Sequence, residues 1–211
     1  MITTADALRA TEHMAQLFSL AVHAKINLDT VTSAIEHSAF AAQLQAGRCS
    51  QLANSTAEEL FEGLFENVRN AEYLPTAGHA VYDEAYWCGW AYMQLLFETH
   101  MPLPYLFLVL PLRRMMDLYP VYHEMDISQL FDLFKAERQN VTIMRSLLKR
   151  HGLKVPELSK RSGVSVNTIN HYKKADENLY AASFQNAFRL ARALDAPPEL
   201  FLQQLEQLIE T

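Results

Sequence analysis

Gly152-Leu-Lys-Val-Pro-Glu-Leu-Ser-Lys-Arg-Ser-Gly-Val-Ser-Val-Asn-Thr-Ile-Asn-His-Tyr-Lys-Lys174 is the stretch that decides the reading of this chain. It predicts a helix, a sharp turn at Gly163-Val164-Ser165, and a second short helix. Pro156 suits a first helical turn, where its missing N–H costs little. Ser165 suits the cap of the second helix, accepting from its exposed N–H groups. Leu158, Val164 and Ile169 are spaced to lock the two helices together.

Stepping ~100° per residue puts Ile169 and Tyr172 on one side of the second helix. Val166, Asn167, Asn170, His171 and Lys174 fall opposite. Such an outward set suits a DNA major groove. Asn can bond adenine N6 and N7 together, Val can touch a thymine methyl, and Lys can reach guanine or phosphate. The preceding run, Thr142 to His151, reads as a basic helix with Ile143, Leu147 and Leu148 inward and Arg145, Lys149 and Arg150 outward. Gly152 closes it. Ser183 opens a later helix, on which Phe184, Phe188, Ala191 and Leu194 are expected to complete a small core.

Charge separates this segment from the rest. The chain of 211 residues carries a formal net charge of −6. Residues 1–140 hold 8 Lys/Arg against 17 Asp/Glu, and residues 141–211 hold 10 against 7. Between Thr142 and Ala175 there are 8 basic residues and one acid, Glu157. That asymmetry places an electrostatic footprint for phosphate on one module.

Three blocks carry a family resemblance: Leu147-Leu-Lys-Arg-His-Gly-Leu153, Glu157-Leu-Ser-Lys-Arg-Ser-Gly-Val-Ser-Val-Asn-Thr-Ile-Asn170, and Phe188-Arg-Leu-Ala-Arg-Ala-Leu194. Together they resemble the lambda-repressor-like (Xre/Cro) helix-turn-helix family over roughly residues 141–203. The resemblance implies a four- or five-helix DNA-binding domain. It also implies groove contacts from the positions of Val166, Asn167 and Asn170. Three positions depart from the family pattern. Val155 stands where a glutamine usually contacts the DNA backbone, Lys154 replaces a hydroxyl cap, and Ala175-Asp-Glu177 replaces a basic turn containing Gly.

The remaining 140 residues also read as helices. Leu8, Met14, Leu17, Phe18, Ala21 and Val22 recur at spacings of three and four between Ala5 and about Leu28. A second helix, capped by Asp29 or Thr30, is expected to run through Val31, Ile35, Phe40 and Leu44 to Gly47. Ser55-x-x-Glu58 has the pattern of a capping box ahead of Leu60, Phe61, Leu64, Phe65 and Val68. Val81 to Phe97 is apolar almost all round, the mark of a central buried helix. Within it Gly89 should admit another backbone. Pro102, Pro104, Pro111 and Pro120 then divide the chain into short pieces, and Asp126 caps a helix carrying Leu130, Leu133 and Phe134.

The reading is therefore all-α. Residues 1–140 form a multi-helix domain for regulation, oligomerisation or partner binding, and 141–211 form the DNA-binding domain. Met101 to Leu112, the longest apolar run, has about twelve residues and three prolines, short of the ~20 needed to span a bilayer. The first apolar residues alternate with His, Gln and Glu, unlike a leader peptide. Cys49 and Cys88 fit reduced thiols in a cytoplasmic protein. No cofactor, metal or catalytic residue is expected. Tyr122-His-Glu-Met-Asp126 and His79 with Asp83 and Glu84 offer possible ligands, without the paired histidines of a zinc protease.

Sequence-specific DNA binding in a repressor-type transcription regulator follows. Val166, Asn167, Asn170, His171 and Lys174 are expected to read bases. Arg145, Lys149, Lys154, Lys160, Ser165, Thr168 and Lys173 are expected to meet phosphates of double-stranded DNA. So small a footprint favours a homodimer on paired half-sites. The stripe of Phe201, Leu205, Leu208 and Ile209 fits either a dimer seam or core. The aromatics Tyr82, Tyr86, Trp87, Trp90, Tyr92, Phe97, Tyr105 and Phe107 can line a pocket for a small-molecule effector, or simply fill a helical core. The alternative is an antitoxin-like autoregulator whose N-terminal domain binds a partner protein.

Overall fold

The computed structural model describes residues 3–66 and 83–201. They form fourteen α-helices and one 3-10 turn, with no strand among the described residues. The fold is all-α. The chain divides into two compact units, Met1–Phe131 and Asp132–Thr211.

In the first unit, α1 (Thr4–His23) is the helix on which the others pack, α6 (Glu84–Thr99) foremost and then α4 (Ser50–Asn54) and α5 (Ala57–Phe65). Its buried stripe contains Ala10, Met14, Ala15, Leu17, Phe18 and Ala21. Gly89 on α6 fits that stripe because it has no side chain. A Cβ there would lie 2.7 Å from both the Ala15 Cα and the Met14 carbonyl oxygen. Two backbones meet at this crossing, as expected.

The wholly buried helix is α7 (Leu103–Val109), since every residue from Met101 to Leu110 is buried. The helix expected within Val81–Phe97 is α6, which packs on α1 and buries Ala85, Cys88, Gly89, Ala91, Tyr92, Met93, Leu95 and Leu96. On α6, Glu84 and Glu98 are exposed, and Tyr86, Trp87, Trp90 and Phe97 are half-buried. The proline-bearing segment takes the interior because Pro102 and Pro104 remove donors where a short buried helix would otherwise strand them. At its other end, the Tyr92 hydroxyl donates to the Leu110 carbonyl. Tyr92 also packs on Phe107 and Phe18, with ring centroids 4.7 and 5.7 Å away.

Two local expectations need correction. The single helix expected from Asp29 to Gly47 is broken into α2 (Leu28–Glu36) and α3 (Ala39–Gln45). Ser38 breaks it by bonding backbone on both sides: its hydroxyl donates to Ile35 and accepts the Ala41 N–H. Asn27 caps α2, not Asp29 or Thr30. The capping box is also one residue later than expected. It joins Thr56 to Glu59, with Glu59 accepting the Thr56 N–H and the Thr56 hydroxyl accepting the Glu59 N–H. Val68, His79, Val81 and Tyr82 lie outside the described residues.

Polar side chains on α1 also reach its neighbours. Glu12 accepts from the Tyr86 hydroxyl and from Gln16, and His13 donates to the Leu52 carbonyl. His23 pairs with Asp83, the residue whose carboxylate caps α6. Cys49 and Cys88 are free and buried, and burial raises the pKa of both thiols. After α8 (Leu112–Tyr122), the division between units falls inside α9 (Ile127–Arg138), whose start is bonded to Asp126 through the Ser128 N–H.

The glycines of α6 and α5 should respond oppositely to alanine. Gly89→Ala inserts a methyl group against backbone that cannot yield, and should destabilise the protein by ~1–3 kcal/mol. Gly63→Ala, with nothing within 4 Å of the new Cβ, should stabilise by ~0.5–1 kcal/mol through helix propensity. Urea denaturation of both variants distinguishes the two effects.

Candidate nucleic-acid interface

Five further helices build the C-terminal site: α10 (Ile143–Arg150), α11 (Val155–Ser162), α12 (Val166–Tyr172), α13 (Asp176–Tyr180) and α14 (Phe184–Ala193). The 3-10 turn Pro198–Phe201 packs on α14. Helix α10 buries Ile143, Met144, Leu147 and Leu148 and leaves Arg145, Lys149 and Arg150 exposed. Its cap comes from far along the chain. Thr142 supplies no side-chain cap, and the Ile143 N–H instead donates to Asp176 at 2.8 Å. The acidic turn that departs from the family pattern is therefore the clasp that holds the start of α10.

Helix α11 begins at Lys154, whose backbone N–H donates to Glu157 at 2.8 Å. An ammonium group has no lone pair to return a bond, so Glu157 does this capping without help from the Lys154 side chain. The turn is then closed by Ser162 and Gly163. The Ser162 hydroxyl donates to the Leu158 carbonyl and accepts the Val164 N–H, while Gly163 sits at φ +70°. That left-handed geometry is one that glycine takes without penalty. Leu158, Val164 and Ile169 are all buried, as the spacing predicts.

Ser165 caps α12, its hydroxyl accepting the Thr168 N–H at 3.1 Å. The two hydroxyls are also bonded to each other at 2.8 Å, so the pair keeps one O–H for an outside acceptor. At the other end, Asn178 donates to the His171 carbonyl and Asn186 donates to the Tyr172 hydroxyl. Ile169 and Tyr172 face the core. Val166, Asn167, Asn170, His171 and Lys174 are all exposed, within an arc of ~140° by helical stepping. The Asn167 and Asn170 side chains have no hydrogen-bond partner among the described residues, so both amides remain available.

Arg145, Lys149, Lys154 and Lys160 are exposed, and Lys173 is half-buried like Thr168. Arg161, exposed on the last turn of α11, belongs with them although the residue pattern did not single it out. None of Arg145, Lys149, Lys154, Lys160, Arg161, Lys173 and Lys174 makes an ion pair among the described residues. Desolvation of the His151 ring and the neighbouring Arg150 guanidinium lower its pKa from the ordinary histidine value.

One expectation for the module is overturned. Phe184 and Phe188 do not complete its core: they are 68% and 50% exposed and stack on each other, with ring centroids 6.2 Å apart. Ala187, Leu190, Ala191 and Leu194 fill the inner face of α14 instead. Phe201 is buried, and Leu205, Leu208 and Ile209 lie outside the described residues.

The cluster Tyr122–Asp126 is not assembled as a site among the described residues, and the His79 cluster falls partly outside them. His123 donates to the Tyr119 carbonyl and stacks on that ring, and Asp126 is engaged at the start of α9. Among the described residues no three His, Cys, Asp or Glu side chains are grouped as a metal ion would require. Of the aromatics proposed to line a pocket, Tyr92, Tyr105 and Phe107 are core residues. No described helix is long and apolar enough to cross a membrane.

Comparison with known families agrees with this geometry. Residues 144–201 match the family described as helix-turn-helix, of the Xre/lambda-repressor-like kind, and the match includes none of the helices of residues 1–143. It marks the module as that of a DNA-binding transcription regulator of the Xre type, which is consistent with a non-enzymatic protein. No curated protein matched the chain. No solved structure matched it either.

The clasp on α10 has a measurable weight. Asp176→Ala removes the acceptor of the Ile143 N–H and should cost ~1 kcal/mol, the usual worth of a helix cap. Amide hydrogen exchange should show the loss concentrated at the first turn of α10.

Proposed function

We propose that the chain is a repressor-type transcription regulator that binds double-stranded DNA sequence-specifically, as a homodimer, by laying α12 in the major groove. The observation that carries this reading is the surface around α12. Among the described residues the Asn167 and Asn170 amides have no partner, and Arg145, Lys149, Lys154, Lys160, Arg161, Lys173 and Lys174 of the same module make no ion pair. Residues 141–211 are the DNA-binding part, and residues 1–140 the part that regulates it through an effector or partner.

The roles divide by chemistry. Arg145, Lys149, Lys154, Lys160 and Lys173 fix the module on phosphates, helped by the hydroxyl pair of Ser165 and Thr168. These contacts release counterions and make affinity fall steeply with salt. Val166, Asn167, Asn170, His171 and Lys174 meet base edges and discriminate among sequences. The acidic excess of residues 1–140 repels phosphate in general, which favours sites where base contacts add to the backbone term.

Two variants distinguish positioning from reading, once full-length protein has enriched its preferred duplex from a random-sequence pool. Asn170→Ala should cost ~1–3 kcal/mol on the enriched duplex and relax the preference at one base pair. Lys160→Ala should weaken binding about equally on all sequences and lower the slope of log K against log salt by about one. Equal loss on every sequence with Asn170→Ala would remove that residue from the reading set. No enrichment at all would overturn the function itself.

A further inference from the structure

The side chains that α12 turns to solvent bear on which base pairs the protein selects. Between Ser165 and Lys173 the helix carries no Arg, Lys, Asp, Glu or Gln. Guanine is read most strongly by Arg or Lys, which donate to its O6 and N7, and cytosine by Asp or Glu, which accept from its N4. The helix has neither kind of reader. It offers instead Asn167 and Asn170, exposed and without a hydrogen-bond partner among the described residues, and Val166, 38% exposed in its first turn. His171 stands near the other end of the helix, and Lys174 follows two residues after Tyr172 closes it.

We propose that the protein selects sites whose base pairs beneath α12 are A·T, with adenines under Asn167 and Asn170 and a thymine beside Val166. The inference rests on the DNA-binding reading above and deepens it by naming the class of sequence bound. Three arguments carry it.

The first is the match of donors and acceptors. An asparagine amide holds an N–H donor and a carbonyl acceptor side by side, and adenine presents the complement, an N7 acceptor beside N6 donors. Guanine presents two acceptors, so the amide carbonyl would meet its O6 and stay unpaired in a contact that excludes water. Neither Asn167 nor Asn170 must break a bond within the described residues to make the adenine contact.

The second argument is spacing. Residues three apart on a helix have Cβ atoms ~5–6 Å from each other. Base pairs rise ~3.4 Å per step, so the two amides reach pairs that are one or two steps apart. The third argument is the apolar group at the helix start, the part of such a helix that meets base edges. Val166 is the first residue of α12. The C5 methyl of thymine is the apolar group that a major groove offers it. Beside cytosine it would cover the N4 donor without accepting its bond.

The test uses full-length protein and the duplex that it enriches from a random-sequence pool. The most strongly selected positions should include two adenines no more than two steps apart, with a thymine beside them. Each A·T pair of that duplex is then replaced in turn by inosine·cytosine, which keeps the minor-groove edge of A·T and presents the major-groove edge of G·C. Wild-type protein should weaken roughly 5- to 150-fold at each of the two adenines. Asn170→Ala should lose most of that sensitivity at one of them, and Asn167→Ala at the other. Uracil in place of one thymine removes only the methyl group and should weaken wild-type protein about three- to fivefold, and Val166→Ser much less.

G·C pairs at the most strongly selected positions would overturn the inference and leave DNA binding intact. So would wild-type affinity unmoved by inosine·cytosine, which would assign the A·T preference to groove shape. Equal sensitivity in wild type and both asparagine variants would overturn the assignment of the adenines, and uracil tolerated at every thymine would overturn that of Val166. The base analogues act on wild-type protein, so a variant that fails to fold does not spare the proposal. Enrichment of no duplex would overturn the DNA-binding reading itself, and this inference with it.

Discussion

The burial of Leu158, Val164 and Ile169 beneath the turn at Gly163 is the contact on which the C-terminal module depends. These three side chains come from α11, the turn and α12, and all are within a few per cent of complete burial. If they separate, α12 loses its apolar anchor on α11, and a helix of seven residues does not persist in water unaided. Gly163 allows the turn to be short enough for that contact. Its φ of +70° is a conformation that any side chain would resist.

How an acidic chain presents a basic reading face follows from where its carboxylates are used. Glu157 is the only acid between Thr142 and Ala175, and it is bonded to the start of its own helix. Asp176, the next acid along the chain, accepts the first N–H of α10. Both carboxylates sit at helix N-termini, where the helix dipole and unpaired N–H groups favour negative charge. Arg145, Lys149, Lys154, Lys160, Arg161, Lys173 and Lys174 make no ion pair among the described residues. The same two groups that secure the fold thus leave the phosphate-facing cations unneutralised.

What the sequence made legible was whatever a local period or a single turn decides. The lock residues, the cap at Ser165, the exposed arc from Val166 to Lys174 and the tight crossing at Gly89 each follow from a few neighbouring residues. The failures share a different cause. Ser55 and Thr56 both begin an S/T-x-x-E pattern, and in the fold Ser55 ends α4 while Thr56 caps α5. Ser38 looks like an ordinary helix residue until its hydroxyl is seen bonding backbone on both sides. Asp176 lies 33 positions from the N–H it caps, beyond any local pattern. Hydrophobicity alone points Phe184 and Phe188 to the core, although their place on α14 is the shoulder of its buried face.

Both units fix helix starts with side-chain caps, but they differ in how much core stands behind them, and this accounts for the character of the site. The first has many residues to bury and can place a wholly apolar helix, α7, in its interior with backbone-close packing at Gly89. The module of residues 141–201 is small, and a small body buries a lesser share of its surface. It supplements its core with side-chain caps from Glu157, Ser165, Asp176 and Ser183, each satisfying an N–H at a helix start. Capping by short polar and acidic groups keeps the helix starts fixed without adding apolar bulk. The surface between the caps can then be given to amides and cations, and a face built in this way can read a groove because the fold does not need its side chains.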